Sequence, residues 1–182
     1  GGFCQLLVFW QIYPEKSSVN YCLFVSPLDE EKYFFNREGL VIQINTTTKT
    51  IQTTDRISSF NLAEDNIFTC NCDNSDRISD IEGADILFLQ NDTIFVTDNT
   101  LPFTKLYVSF LERNSWNVSR KDFFTKNDLL QCNDIVLCSS FIGLQWVSKV
   151  LYCENSTIAT SYHSYDYART LHAEMQKFIT EL

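Results

Sequence analysis

Residues 84–113, ADILFLQNDTIFVTDNTLPFTKLYVSFLER, decide how the rest of the chain is read. Ile86 to Leu89 form a continuous apolar run, and Gln90-Asn91-Asp92 carry turn chemistry. Thr93 to Thr97 then alternate, with Ile94 and Val96 on one face and Thr93 and Thr97 on the other, so the two runs read as a β-hairpin. Thr104 to Leu111 sends Leu106, Val108 and Phe110 one way and Lys105, Tyr107 and Ser109 the other. That pattern predicts a third strand in a sheet with one wet face.

The totals agree with a β-rich chain. One domain, 1–182, is expected from the length. Fifteen Phe, eight Tyr and three Trp favour strands and aromatic-lined interiors over helical bundles. A formal net charge of -9 repels phosphate backbones and anionic membranes, which argues against nucleic acid as a partner. No apolar run reaches the roughly 18 residues of a membrane helix, so a membrane-embedded chain is not expected.

Seven cysteines, Cys4, Cys22, Cys70, Cys72, Cys132, Cys138 and Cys153, show no C-x-x-C pair and are read as disulfide candidates of an oxidising compartment. The odd count leaves one for a free thiol or a link to another chain, homo- or hetero-oligomeric. Asn45, Asn91, Asn117 and Asn155 begin N-x-S/T sequons, several at turn-like positions, and are expected to carry glycans. With Gly1-Gly2-Phe3-Cys4 read as a mature end, the expectation is a secreted, extracellular glycoprotein.

Along the chain, Gln5 to Tyr13 and Asn20 to Val25 read as strands, placing Cys4 and Cys22 on neighbours. Lys32 to Phe35 reads as a short strand. Leu40, Ile42 and Ile44 share a face, and Asn45 to Lys49 is expected to turn the chain into a second hairpin with Thr50 to Ile57. Asn66 to Cys70 forms a short strand and Ser119 to Leu130 a short helix or irregular connection. Asp134 to Cys153 is strongly apolar and fits a helix or a strand, with Gly143 and the β-branched residues favouring a bent strand, and Thr157 to His163 reads as another strand. From Asp166 on, Ala168, Leu171, Met175, Phe178 and Leu182 recur at helical spacing, which predicts a C-terminal amphipathic helix.

Chemistry-bearing patterns are few. His163 and His172 lack metal-pair spacing, and no nucleophile elbow or glycine-rich phosphate loop occurs. Asp80, Glu82 and Asp85 cluster, but not with the spacing of a calcium loop, and a solvated turn is the simpler reading. The expectation is no enzyme, no metal and no cofactor beyond a possible bound lipid or pigment.

Thr97-Asp98 after a strand, the succession of strands and the terminal amphipathic helix at 166 to 182 make the chain resemble the lipocalins, although Val8 stands where the family's G-x-W, ending here at Trp10, wants glycine. The resemblance implies an antiparallel β-barrel of about eight strands that carries or sequesters one small hydrophobic ligand. Trp10, Ile42, Phe88, Phe95, Phe110 and Trp146 are the expected ligand-binding residues. The alternative is a β-sandwich interaction module, of adhesion or immune-decoy type, in which these aromatics are core.

Overall fold

The structure is a computed structural model describing residues 4–13, 18–27, 34–45, 67–81, 83–152, 157–162 and 165–181, with side chains from 34 onward except at Ser79 and Asp80. Residues 1–34 and 35–182 form two compact units. In the first, β1 (Cys4–Tyr13) and β2 (Ser18–Pro27) pair antiparallel, both longer by a residue or more than their alternation predicts. Cys22 stands opposite Phe9, five positions along β1 from Cys4. That is about 17 Å of strand, too far for a disulfide, so these neighbouring cysteines do not bridge each other.

The second unit contains β3 (Leu40–Asn45), β4 (Ile67–Cys72), β5 (Ile78–Ile81), β6 (Asp85–Gln90), β7 (Thr93–Thr97), α1 (Pro102–Arg113), β8 (Val118–Lys121), α2 (Lys126–Gln131), β9 (Asp134–Ser139), β10 (Gly143–Tyr152), β11 (Ile158–Ser161) and α3 (Asp166–Glu181). Its nine strands form one sheet in the order β5-β4-β3-β10-β9-β6-β7-β8, with β11 beside β10. The expected antiparallel barrel is corrected here: β3 runs parallel to both β4 and β10, and β7 parallel to β8. The strand proposed to pair with β3 across residues 45–49 lies outside the described residues.

The sheet nevertheless curls. Only Glu82, Gly83 and Ala84 separate β5 from β6, a link that spans at most about 14 Å. Five strand spacings separate the same two strands along the sheet, about 24 Å if it were flat. The edges therefore approach each other, and single bonds stitch the seam: Ile78 N–H to Phe124 O and Lys126 N–H to Asp76 O, both 2.8 Å, beside an isolated bridge from Arg77 to Thr125. No ladder joins β5 to β8 among the described residues, so the barrel stays open.

Register assigns the two faces. Tyr152, Ile44, Cys70 and Ile81 form one row across four strands, and Val150, Ile42 and Phe68 another, all turned inside the curl. Leu87, Val136 and Trp146 form a row on the outer face. In β10 the register shifts between Val147 and Lys149, leaving Ser148 as an extra residue whose hydroxyl donates to Leu40 O at 3.2 Å. Gly39, at φ +73°, lies under this bulge; a Cβ there would meet Ser148 Cβ and the Trp146 ring at 2.7 Å.

The predicted hairpin is present as β6 and β7, with Asn91 and Asp92 both at positive φ (48° and 61°), the conformation of a two-residue type I′ turn. The third predicted strand is a helix instead. Pro102 starts α1 at a position where its missing N–H is no loss, and Thr104, Tyr107, Val108 and Leu111 bury one helical stripe. Leu106, which alternation turned inward, is 55% exposed. The chain leaves α1 through Ser115 at φ 65°, with Trp116 N–H bonding Leu111 O at 3.0 Å.

The segment from Asp134 to Cys153 is two strands rather than one, and the Ser119–Leu130 connection resolves into β8 and α2. A Thr125/Asp128 capping box opens α2. The C-terminal helix forms as its periodicity predicts: Ala168, Leu171, Met175 and Phe178 are buried, and His172 joins them. Tyr107 O–H donates to Leu171 O at 2.7 Å, and Phe178 packs between Phe103 and Phe110 at ring distances of 5.7 and 5.6 Å, so α1 and α3 share one core over β9 and β10.

Candidate functional site

The outer face changes character at β3. Alternation puts Leu40, Ile42 and Ile44 inside and leaves Val41, Gln43 and Asn45 half-buried on the outside. In β4 the inner residues are Phe68, Cys70 and Cys72, and Thr69 and Asn71 face out. Register lines these up: Leu151, Gln43 and Thr69 in one row, and Asn45, Asn71 and Asp80 in the next. An acid thus stands in line with two carboxamides across three adjacent strands. Asn71 is buried and Asn45 half-buried. Lys149, in register with Val41, shares this face.

A second feature is the N-terminus of α1. Leu101 supplies no side-chain cap, and the first helical bond runs from Lys105 N–H to Leu101 O at 3.0 Å, so the Phe103 and Thr104 N–H groups have no partner within the helix. Thr104 Oγ1 donates to Cys138 O at 3.3 Å, fixing this terminus beside the end of β9. There Ser139 Oγ accepts from Phe141 and Ile142 N–H at 3.2 and 3.4 Å.

Next to it, where β5 hands over to β6, lies a cavity of about 290 Å³ whose lining includes Asp85, Thr97, Asn99 and Thr100 as well as Ile81, Ile86 and Phe124. Asp85 Oδ2 accepts from Leu101 N–H at 2.8 Å.

The titratable groups of the interior are tuned by burial. It pushes the Cys132 thiol up to about 11, the Cys138 thiol up to about 12 and the Asp134 carboxyl up to about 6, the last against hydrogen bonds from Ile135 and Ala168 N–H. A hydrogen bond from Cys70 holds the Cys72 thiol below its ordinary value in spite of burial, with Lys126 helping. Tyr162 is raised by burial; its hydroxyl donates to Leu129 O and lies 3.5 Å from Cys132 Sγ.

The residues expected to bind a ligand do not converge. Ile42 and Phe88 face the interior and Phe95 stands opposite Phe88, but Phe110 belongs to α1 and Trp146 to the outer face, where its Nε1–H donates to Asn36 O at 2.6 Å and its ring packs on Tyr165. The side chain of Trp10 lies outside the described residues. Cys70, Cys72, Cys132 and Cys138 are buried and form no disulfide with one another; Cys153 and the Cys4 and Cys22 side chains lie outside the description. Asn91 and Asn117 are exposed, Asn45 is half-buried in β3, and Asn155 is outside. No group of three or more potential metal ligands occurs among the described residues. The row of Asn45, Asn71 and Asp80 is not expected as a unit: Asn45 stands among the expected glycosylation sites and Asp80 in the acidic cluster read as a solvated turn, and the signal that joins them is the polar half of the alternation in β3 and β4.

No protein-family model and no curated protein sequence matches the chain. Solved structures do match. A putative branched-chain amino acid aminotransferase from Thermotoga maritima superposes at TM-score 0.68 and 12% identity, covering 97% of this chain and 66% of that one. For a hypothetical aminotransferase from Mycobacterium tuberculosis, solved in a PLP-bound form, the values are 0.67, 9%, 91% and 63%. For 4-amino-4-deoxychorismate lyase from Pseudomonas aeruginosa they are 0.63, 14%, 97% and 71%. At such identities the likeness is one of fold, and the chain spans about half to two thirds of the length of the aminotransferases it matches.

These neighbours overturn the lipocalin resemblance and the carrier function, lipid binding and transport that followed from it. They also overturn the expectation of a non-enzyme without a cofactor, because the fold is that of aminotransferases and a lyase, some solved with pyridoxal phosphate or its derivatives. The lipocalin reading failed physically because a helix occupies the place of its third strand and the sheet is mixed.

Proposed function

We propose that this chain performs pyridoxal-phosphate-dependent chemistry on the amino group of a small amine or amino acid, by transamination or lyase cleavage. The observation that carries the reading is the row of Asn45, Asn71 and Asp80 on the outer face of β3, β4 and β5, in a fold shared with cofactor-bound enzymes. The bound cofactor supplies an aldehyde that condenses with amines and a pyridine ring that takes up electrons.

The residues present fit that group in three respects. Asp80, at the register position opposite Asn71, is of the residue type that holds positive charge at a pyridine nitrogen. The uncapped N–H groups of Phe103 and Thr104 suit a phosphate, since a helix N-terminus carries partial positive charge. Lys149 brings an amine to the same outer face as Asp80; Lys49, four residues beyond β3 in sequence, is a second source outside the described residues. Among the other described lysines, Lys105 is exposed on α1, Lys121 pairs with Asp128 at 2.9 Å, Lys177 with Glu174 at 2.6 Å, and Lys126 lies over the Tyr152 ring.

Incubation with pyridoxal phosphate, reduction with borohydride and peptide mapping test the reading. The expected result is a visible absorption band and one dominant modified lysine, Lys149 or Lys49, with the band lost in Asp80→Ala. Sparse labelling spread over the surface lysines would remove the proposal.

A further inference from the structure

Cys70 and Cys72 stand two positions apart on β4 and turn to the same side of the sheet, into the curl, where they are 0% and 1% exposed. Cys70 hydrogen-bonds Cys72, so the two sulfurs are partners of one another. An extended strand sets such positions about 6.6 Å apart, whereas the β-carbons of a disulfide lie about 3.5–4.5 Å apart. β4 therefore holds the pair in contact and keeps it from closing on itself. A single ion fits the gap. Two thiolate–metal bonds of about 2.3 Å placed end to end span about 4.6 Å, and the sulfurs reach that separation by leaning towards each other from their β-carbons.

The surroundings select the ion. Ile44 and Ile81 flank Cys70 in register, and Ile42 and Phe68 form the next row, so these neighbours are apolar and offer no oxygen ligand. No third His, Cys, Asp or Glu completes a metal set among the described residues, whereas a structural zinc asks for four ligands. Two thiolates without further donors suit a soft monovalent ion such as Cu(I). The complex carries one net negative charge, and a cation is at hand. The Lys126 ammonium lies over the ring of Tyr152, a member of the Cys70 row, at 4.8 Å, and it attracts negative charge at Cys72. Asp73 and Asp76, on the turn after β4, act against it more weakly.

We infer that Cys70 and Cys72 form a two-coordinate site for a soft monovalent metal ion of the Cu(I) class. Both thiols give up their protons to solvent as the ion binds, so two protons leave for each ion and no electron is transferred. The ion enters at the seam, where Ile78, opposite Cys72 in register, is tied to Phe124 by one bond of 2.8 Å. The site lies inside the curl, on the side of the sheet away from Lys149, and no step of it uses pyridoxal phosphate, so it stands or falls independently of the cofactor reading.

The test uses the full chain, reduced and kept anaerobic, with Cu(I) offered as its coloured bicinchoninate complex. One tightly held ion per chain is expected to pass to the protein, with two sulfur neighbours in its X-ray absorption spectrum. Cys70→Ser and Cys72→Ser should each weaken uptake at least about a hundredfold, and Lys126→Met about tenfold. Cys132→Ser, Cys138→Ser and Cys153→Ser should leave it unchanged. Zinc should bind the parent no better than the chain carrying both Cys70→Ser and Cys72→Ser. Tryptic peptide 57–77 contains these two cysteines and no other. Its protection from alkylation by one equivalent of Cu(I) therefore reads the site in the parent chain, even where a variant fails to fold. Uptake that survives the loss of either cysteine, protection at other cysteines instead, zinc bound as tightly as Cu(I), or no retained Cu(I) would overturn the site.

Discussion

The same sheet has two outer faces. Over β9 and β10 it is covered by α1 and α3, and all six residues of β9, Asp134 to Ser139, are buried. Over β3 burial alternates, and polar residues take the outer positions of β3 and β4, with Thr69 half-buried and Asn71 buried. A strand covered on both sides reads as a continuous apolar run, DIVLCS, and a strand covered on one side as an alternation, LVIQIN. The contrast teaches where the molecule places stability and where it leaves room for chemistry.

Four substitutions probe that contrast. The largest effect is expected at Leu171→Ala, which removes a fully buried side chain between α3 and the covered half and should cost about 2–5 kcal/mol in denaturant unfolding.

Asp134→Asn comes next. The Asp134 carboxyl is raised to about 6 in the folded chain from an ordinary 3.8, chiefly by burial. The folded state therefore binds its proton more tightly than the unfolded state. Its contribution is fully present below the unfolded value and is lost as pH rises through the folded one. Unfolding free energy should thus fall by on the order of 2 kcal/mol between pH 4 and pH 7 from this group. The carboxamide introduced by Asp134→Asn would keep an acceptor for Ile135 and Ala168 N–H and flatten that slope, so the variant should be the more stable at pH 7. An unchanged slope would show that Asp134 is solvated.

Tyr107→Phe leaves Leu171 O without its 2.7 Å donor under α1 and should cost about 1–2 kcal/mol. Thr69→Ala, on the polar half, should change stability by less than about 0.5 kcal/mol. A loss at Thr69 as large as that at Tyr107 would erase the distinction between the two faces.

Much of the framework was legible. The Asn91-Asp92 turn and the spacing of Ala168, Leu171, Met175 and Phe178 are local signals, and local signals need no knowledge of neighbours. Residues 104–111 satisfy two periods at once: Leu106, Val108 and Phe110 at two, and Thr104, Tyr107, Val108 and Leu111 at three to four. Pro102 was the cue that should have decided it, since proline opens a helix but interrupts a central strand. The outer row was not legible as a unit. Alternation shows that Asn45 and Asn71 are outward, but nothing local shows that β3 and β4 run side by side in parallel. Asp80 and Asp85, close in sequence, stand on different strands: the first opposite Asn71 in register, the second beside the N-terminus of α1.

The seam between β5 and the Phe123–Thr125 segment has a temporal consequence. A ladder opens only when many bonds break together, whereas this junction depends on Ile78 N–H to Phe124 O, Lys126 N–H to Asp76 O and the packing of Phe124 on Phe88. Breathing at that point costs a few kcal/mol, less than global unfolding. It bares Cys70 and Cys72 while Cys138, beneath α1, stays shielded. Alkylation under native conditions should therefore tag the first two thiols long before the third, turning the interior of the curl into a clock for its own opening.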